Sequence, residues 1–539
     1  MKKLLAILLT LAMFATMIPV LTVGVSAEAP TYSESWDKHY DLSWITPVGS
    51  SNSNTVTVGS KHYQVIGYAE SANTTFEIDT PAELAGLAYL VNAKNTGNSN
   101  NNDGNGCAFL NCTIKIVKDI DLSGYYWMPI GKTFDYKFAG KLIGDKDEQA
   151  ITISNMVIYS TEQPANNPLR GLVGAKAGGS IENINLTNAY ITTAGFRVGS
   201  FAGQFNNATI KNCSSDATIV TTGERSDNVW DACGGIVGCT YSGTNGVTIQ
   251  NCTFTGTIDS KGEIAGGLVG TTEGNTTVSG CTVNSDKIAT AATSGNQGNN
   301  PSRVGVGGIA GVMRGGITAS STTVKATIVC NNSATTNYAG GLLGCLHSNA
   351  TLTDCSFEGT VQTNNSRGFL GQGANGGTAN SNAGMGWNLT LINCENKGTV
   401  TVTNANTLTQ LRFQKGIYDD SVVTSLGVQK STISNAVRVV AQVKADALTG
   451  AGFDFIVSYK NAQDETVTTS INQIDVTKAF TSIIVAENEQ AAKEGYVWVA
   501  FVLKDIDSAS ITISAVASAK YESTTVYGTV GTSNAISFS

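Results

Sequence analysis

A five-residue pattern, Gly-Gly-[Leu/Ile]-[Val/Ala/Leu]-Gly, returns along the middle of this 539-residue chain and limits what it can fold into. Clear copies are Gly234-Gly235-Ile236-Val237-Gly238, Gly266-Gly267-Leu268-Val269-Gly270, Gly307-Gly308-Ile309-Ala310-Gly311 and Gly340-Gly341-Leu342-Leu343-Gly344. Weaker copies end at Gly174, Gly203 and Gly371, and the closing glycines lie 27 to 41 residues apart. A fixed period of this length marks a solenoid, in which no unit can bury its apolar face alone and stacked units share one core. Equivalent residues then sit about 4.8 Å apart, the spacing of neighbouring strands. Glycine suits places of positive φ or close backbone approach.

A second motif follows each copy: Ile, Val or Leu, two residues, then usually Cys. It gives Cys213, Cys252, Cys281, Cys355 and Cys394, with Ile184 and Ser320 in the same slot of other units and Asn often just before the Cys. Residues as different as Ile and Ser cannot replace a half-cystine, so these positions read as an inward column of small side chains. A β-branched strand comes next, for instance Thr218-Ile219-Val220. The expected fold is therefore all-β: a right-handed parallel β-helix over 76–402. Gly-, Asn- and Ser-rich insertions should protrude at 221–233, 291–303 and 372–387.

Charged residues form only 14% of the chain, too few for long charged helices. The hydrophobic fraction of 41% argues against disorder. Lys2 and Lys3, an apolar run to Val25 and the small residues Val25-Ser26-Ala27 read as a signal peptide over 1–27. Its removal leaves 31 basic and 41 acidic residues, a charge of −10. Without a basic stripe or a Lys/Arg cluster, nucleic acid is an unfavoured partner, and so is a membrane once the signal is cleaved. Residues 28–75 form an N-terminal extension. Thr80-Pro81-Ala82-Glu83 is a capping box that opens a helix to Asn92, with Leu84, Leu87, Ala88 and Val91 on one face, placed to plug the first coil. After a linker at 403–434, alternating strands from Val437 onward predict a small β-sandwich over 435–539.

These glycine motifs resemble the GLUG repeat of secreted and surface proteins of Gram-positive and related bacteria. The resemblance spans about 76–402 and includes Glu83-Leu84-Ala85-Gly86-Leu87-Ala88, Asp119-Ile120-Asp121-Leu122-Ser123 and Trp127-Met128-Pro129-Ile130-Gly131. It implies the β-helix and an extracellular, surface-associated role. GLUG repeats also occur as a non-catalytic part of immunoglobulin A peptidases that use a His-Glu-x-x-His zinc site. Here His39, His62 and His347 are each followed by a residue other than Glu.

No cofactor or metal is expected. Cys107 and Cys112, and Cys233 and Cys239, lack a nearby His and read as packing residues whose disulfide state stays open. Asp119 and Asp121 lack the further acids a calcium site needs. A non-catalytic protein is the favoured reading, with a polysaccharide lyase or glycosidase of β-helix type as runner-up and a structural spacer third. The expected partner is an extracellular glycan or a component of the cell wall or host surface. The candidate contact is the insertion holding Asp227, Asn228, Trp230 and Asp231, in which an indole can stack on a sugar, with Trp387 on a later insertion as a second contact.

Overall fold

A computed structural model of the protein describes residues 29–94, 106–160, 168–194, 196–222, 231–241, 246–291, 305–330, 338–363, 389–402, 415–430 and, discontinuously, 436–537. Its body is a stack of coils. The longest ladder is a sheet of ten parallel strands, from Thr74–Ile78 through Cys112–Ile116, Lys141–Gly144 and Ser180–Glu182 to Leu389–Ile392. Two further parallel sheets have six strands each. One runs from Leu169–Arg170 to Tyr338–Gly340, the other from Val173–Ala177 to Leu343–Leu346. Two more parallel ladders complete the turn and share the strands Thr282–Thr290 and Thr323–Cys330.

Register is strict. Ile181, Ile210, Ile249, Val278, Ala319, Leu352 and Leu391 stand in line across neighbouring strands, and all are buried. Alternate residues of the same strands face outward, as the two-residue strand period requires.

The glycine motif is the corner between the two six-stranded sheets. Its first glycine closes one strand and its last lies in the next, as with Ala232–Gly234 and Val237–Tyr241. At Gly344 a Cβ would fall 2.3 Å from the Gly311 carbonyl oxygen and 2.6 Å from the Val306 nitrogen. At Gly235 it would sit 2.5 Å from the Phe254 ring. Close approach of backbone and core, not positive φ, is what selects glycine at these positions.

Cys213, Cys252, Cys281, Cys355 and Cys394 are buried and follow Ile184 in one column. None of the eleven cysteines is in a disulfide. The expected place of Ser320 needs correction. Thr282 pairs with Thr323, which puts Thr322 opposite Cys281, while Ser320 pairs with Ser279 on the neighbouring ladder. Ala319, not Ile317, holds the inward slot opposite Val278, so spacing counted from Ile317 is two residues short. Thr322 fits because its hydroxyl donates to the Ser320 carbonyl at 2.9 Å, as the Cys281 thiol does to Ser279 at 3.3 Å. The residue before the column turns through positive φ, at Asn183, Asn212, Asn251, Gly280, Ser321, Asp354 and Asn393. Asn tolerates that conformation, and its amide extends the stack: Asn212 donates to Asn183 at 3.0 Å and Asn251 to Asn212 at 3.2 Å.

Both ends of the stack are covered. The helix Pro81–Ala93 starts at the capping box, with Thr80 and Glu83 bonded reciprocally. It buries Leu84, Leu87, Leu90 and Val91 in the same core as Ile78 and Ile114. The segment before it, with the short 3-10 helix Trp36–Lys38 and the hairpin Thr55–Val58/Lys61–Gln64, joins that core through Trp36, Val56 and Tyr63. At the far end Gly416–Tyr418 pairs antiparallel with Cys394–Asn396 and parallel with Thr524–Tyr527. Val423–Lys430 pairs antiparallel with Val437–Lys444. Residues expected to form a plain linker thus include two strands, one of which seals the coil. The remaining C-terminal strands are mostly antiparallel: Val437–Lys444 with Tyr496–Leu503, and Phe453–Lys460 between Thr466–Gln473 and Ser514–Tyr521.

Candidate functional site

The outward positions of the ten-stranded sheet form a repeating polar face. Thr209, Thr248, Thr277, Thr318, Thr351 and Thr390 pair in unbroken succession and are exposed or half-exposed. Beside them run Lys211, Gln250, Ser279, Ser320 and Thr353. The β-branched threonines suit the pleat, and their hydroxyls recur once per coil, about 4.8 Å apart. Charges are matched between coils, as with Lys211 and Glu182 at 3.0 Å on this face or Lys287 and Asp259 at 2.6 Å on another. In the more buried cluster, Glu273 lies 3.0 Å from Arg197 and 3.5 Å from Arg314, so these charges neutralise one another.

A second feature lies at the N-terminal cap, where aromatic residues concentrate. Trp36 meets Tyr125 edge-on at 4.9 Å, Tyr40 stacks on Tyr89 at 4.0 Å, and Tyr126 stacks on Tyr159 at 5.8 Å. Tyr159 stands out at 48% exposure. Between the 3-10 helix, the helix Pro81–Ala93 and residues 127–132 lies a cavity of about 160 Å³. Its walls include Trp36, Tyr89 and Trp127, with Asp37, Asn92 and Lys132 as polar members. Sequence reasoning missed this pocket because its parts lie far apart along the chain. The available signal was the density of aromatic residues between Tyr32 and Tyr136.

Of the loop residues expected to bind, Asp227, Asn228, Trp230 and Trp387 lie outside the described residues, as does Gly371. Asp231 is described and is 6% exposed, tucked at the entry to the strand Ala232–Gly234, which takes it off the outer surface. Among the described residues no group of three or more His, Cys, Asp or Glu side chains is placed to hold a metal ion. Burial pushes the Cys213 and Cys239 thiols up to about 12, away from the reactive thiolate. No described helix is long and apolar enough to cross a membrane.

Comparison with known proteins gives a family motif and distant structural likeness. Residues 335–362 match the model described as the GLUG motif, which takes in the copy ending at Gly344 and reaches into the strand Thr360–Thr363. This is a GLUG-containing chain with an all-β architecture of parallel stacked strands. No curated protein matches it. A crystal structure of a candidate immunoglobulin A1 protease from Bacteroides ovatus is similar over 61% of this chain and 84% of that one, at 17% identity and a TM-score of 0.41.

Proposed function

We propose that this is a secreted, non-catalytic β-helix protein that binds glycan outside the cell, on a host surface or in cell-wall material. The observation that carries the reading is the column of threonines from Thr209 to Thr390, with its parallel row of Ser, Thr and Gln. A rigid face with one hydroxyl per coil suits a polymer that also repeats along its length, because hydrogen bonds to a preordered surface lose little entropy on binding. The aromatic cap adds platforms of the kind that stack on the C–H face of a sugar. The reading takes residues 1–27 as the export signal. It takes the winding as right-handed, the hand of nearly all crossovers between parallel strands, and the C-terminal antiparallel strands as a sandwich.

A glycan array combined with a reducing-sugar assay tests this. Binding without release of reducing ends is expected. Release of reducing ends would assign the protein to the polysaccharide-degrading enzymes, and a blank result in both assays would leave a structural spacer.

A further inference from the structure

We infer that the cavity at the N-terminal cap is a subsite for a single pyranose ring, the end or a branch of a larger glycan; this rests on the glycan-binding reading. The walls are held rigid. The Trp36 indole donates to the Leu122 carbonyl at 3.0 Å and the Trp127 indole to the Leu172 carbonyl at 3.1 Å. Tyr89 is backed by Tyr40. The Asn92 amide is used at both ends, donating to the Pro129 carbonyl at 2.9 Å and accepting from the Lys132 backbone at 2.8 Å. These bonds fix the orientation of the groups that shape the pocket, which is how a site is preorganised.

Two polar groups keep hydrogen-bonding capacity. One carboxylate oxygen of Asp37 is buried and accepts no hydrogen bond. The Lys132 ammonium lies 5.2 Å from the centre of the Tyr136 ring and has no carboxylate within ion-pair reach among the described residues. A buried acceptor with no donor is unfavourable, and a ligand hydroxyl relieves it once the Asp37 carboxylate turns toward the cavity it lines. A pyranose meets every requirement at once: hydroxyls to donate to Asp37 and accept from Lys132, and C–H faces for the aromatic walls. The cavity, at about 160 Å³, is of the size of a single sugar ring. The pocket and the threonine face therefore differ in task, one reading a single unit and the other a repeat.

The test is a titration of tryptophan fluorescence in the full chain with glucose and with N-acetylglucosamine, for the natural protein, Asp37→Asn and Lys132→Met. The expected result is a saturable change with at least one sugar, weakened at least tenfold in both variants, with melting temperatures unchanged. No saturable response to either sugar overturns the proposal, as does undiminished binding in both variants. A saturable response to glycine, with none to the sugars, would assign the pocket to a zwitterion and also overturns it. The glycan array separates this inference from the reading beneath it. Polysaccharide retained equally by all three proteins leaves the threonine face standing and removes the pocket. A blank array with sugar binding in the titration does the reverse.

Discussion

The coiled body and the C-terminal region are both nearly all strand, yet they are built on different rules. In the body each residue lies against its own counterpart one coil away: Ile210 beside Ile249, Thr248 beside Thr277, Cys213 beside Cys252. In the C-terminal region partners differ in kind, as where Val439 faces Phe501 and Gln442 faces Trp498. Self-stacking makes the sequence repeat, because a slot that accepts one residue type accepts it in every coil. Antiparallel hairpins impose alternation but no period, so they can be recognised as strands while their partners cannot be assigned.

The sharpest way to break this contrast is to cut between the regions. A fragment beginning at Ser434 lacks Val423–Lys430, the partner of Val437–Lys444, along with the sealing strand Gly416–Tyr418. It should give no cooperative unfolding transition by circular dichroism, whereas a fragment beginning at Lys415 should. Two equally stable fragments would show that the C-terminal region owes nothing to those strands.

Glycine substitutions probe the same difference next. Gly344→Val forces a side chain onto the Gly311 carbonyl and the Val306 nitrogen, and should destabilise the body by more than about 3 kcal/mol. Gly495 has positive φ, +78°, and open space around it, so Gly495→Ala should cost only about 1 kcal/mol of backbone strain. Thermal unfolding of the pair measures both, and equal losses would refute the close-approach account.

A charge inside the stack gives a smaller effect with a pH signature. Lys176 is buried between Phe138 and Phe205 in one column, and donates to the Gly140 carbonyl at 2.7 Å and to that of Gly178. Desolvation lowers it to about 7 from an ordinary 10.5. Between those values the unfolded chain holds a proton that the folded chain lacks, so stability should rise with pH from about 7 to about 10 and stay lower, and level, below 7. Lys176→Met should remove that slope and add on the order of 2 kcal/mol at neutral pH. Denaturant unfolding at pH 6 and pH 10 decides the matter; an unchanged slope would rule Lys176 out as its source.

The mildest prediction is in the cysteine column. Because Thr322 already occupies it, Cys355→Thr should cost less than about 1.5 kcal/mol. The remaining column thiols should resist a thiol reagent until the protein is unfolded, since all of them are buried beyond its reach. Rapid labelling of the native chain would place the column outside the core.

These rules also explain what could be read from the chain beforehand. The glycine corner, the cysteine column and the capping helix were legible because each is local or periodic. Ser320 was misplaced because Ile317 imitates the motif two residues early, and only pairing with Ser279 and Thr282 fixes the register. The strand Gly416–Tyr418 was missed because three residues carry no alternation to detect. The cap pocket was missed because Trp36, Tyr89 and Trp127 meet only in three dimensions, while Trp230 and Trp387 were chosen as aromatic residues on insertions, a local signal.

The sealed ends have a consequence for inheritance. A stack closed by a helix at one end and by a crossing strand at the other can gain or lose a whole coil in the middle without disturbing either closure. One duplicated unit would lengthen the threonine row by a single step and leave the cap pocket unaltered. The length of that row and the lining of the cap pocket are therefore free to evolve apart, the first by copying coils and the second by point changes in residues 36–132.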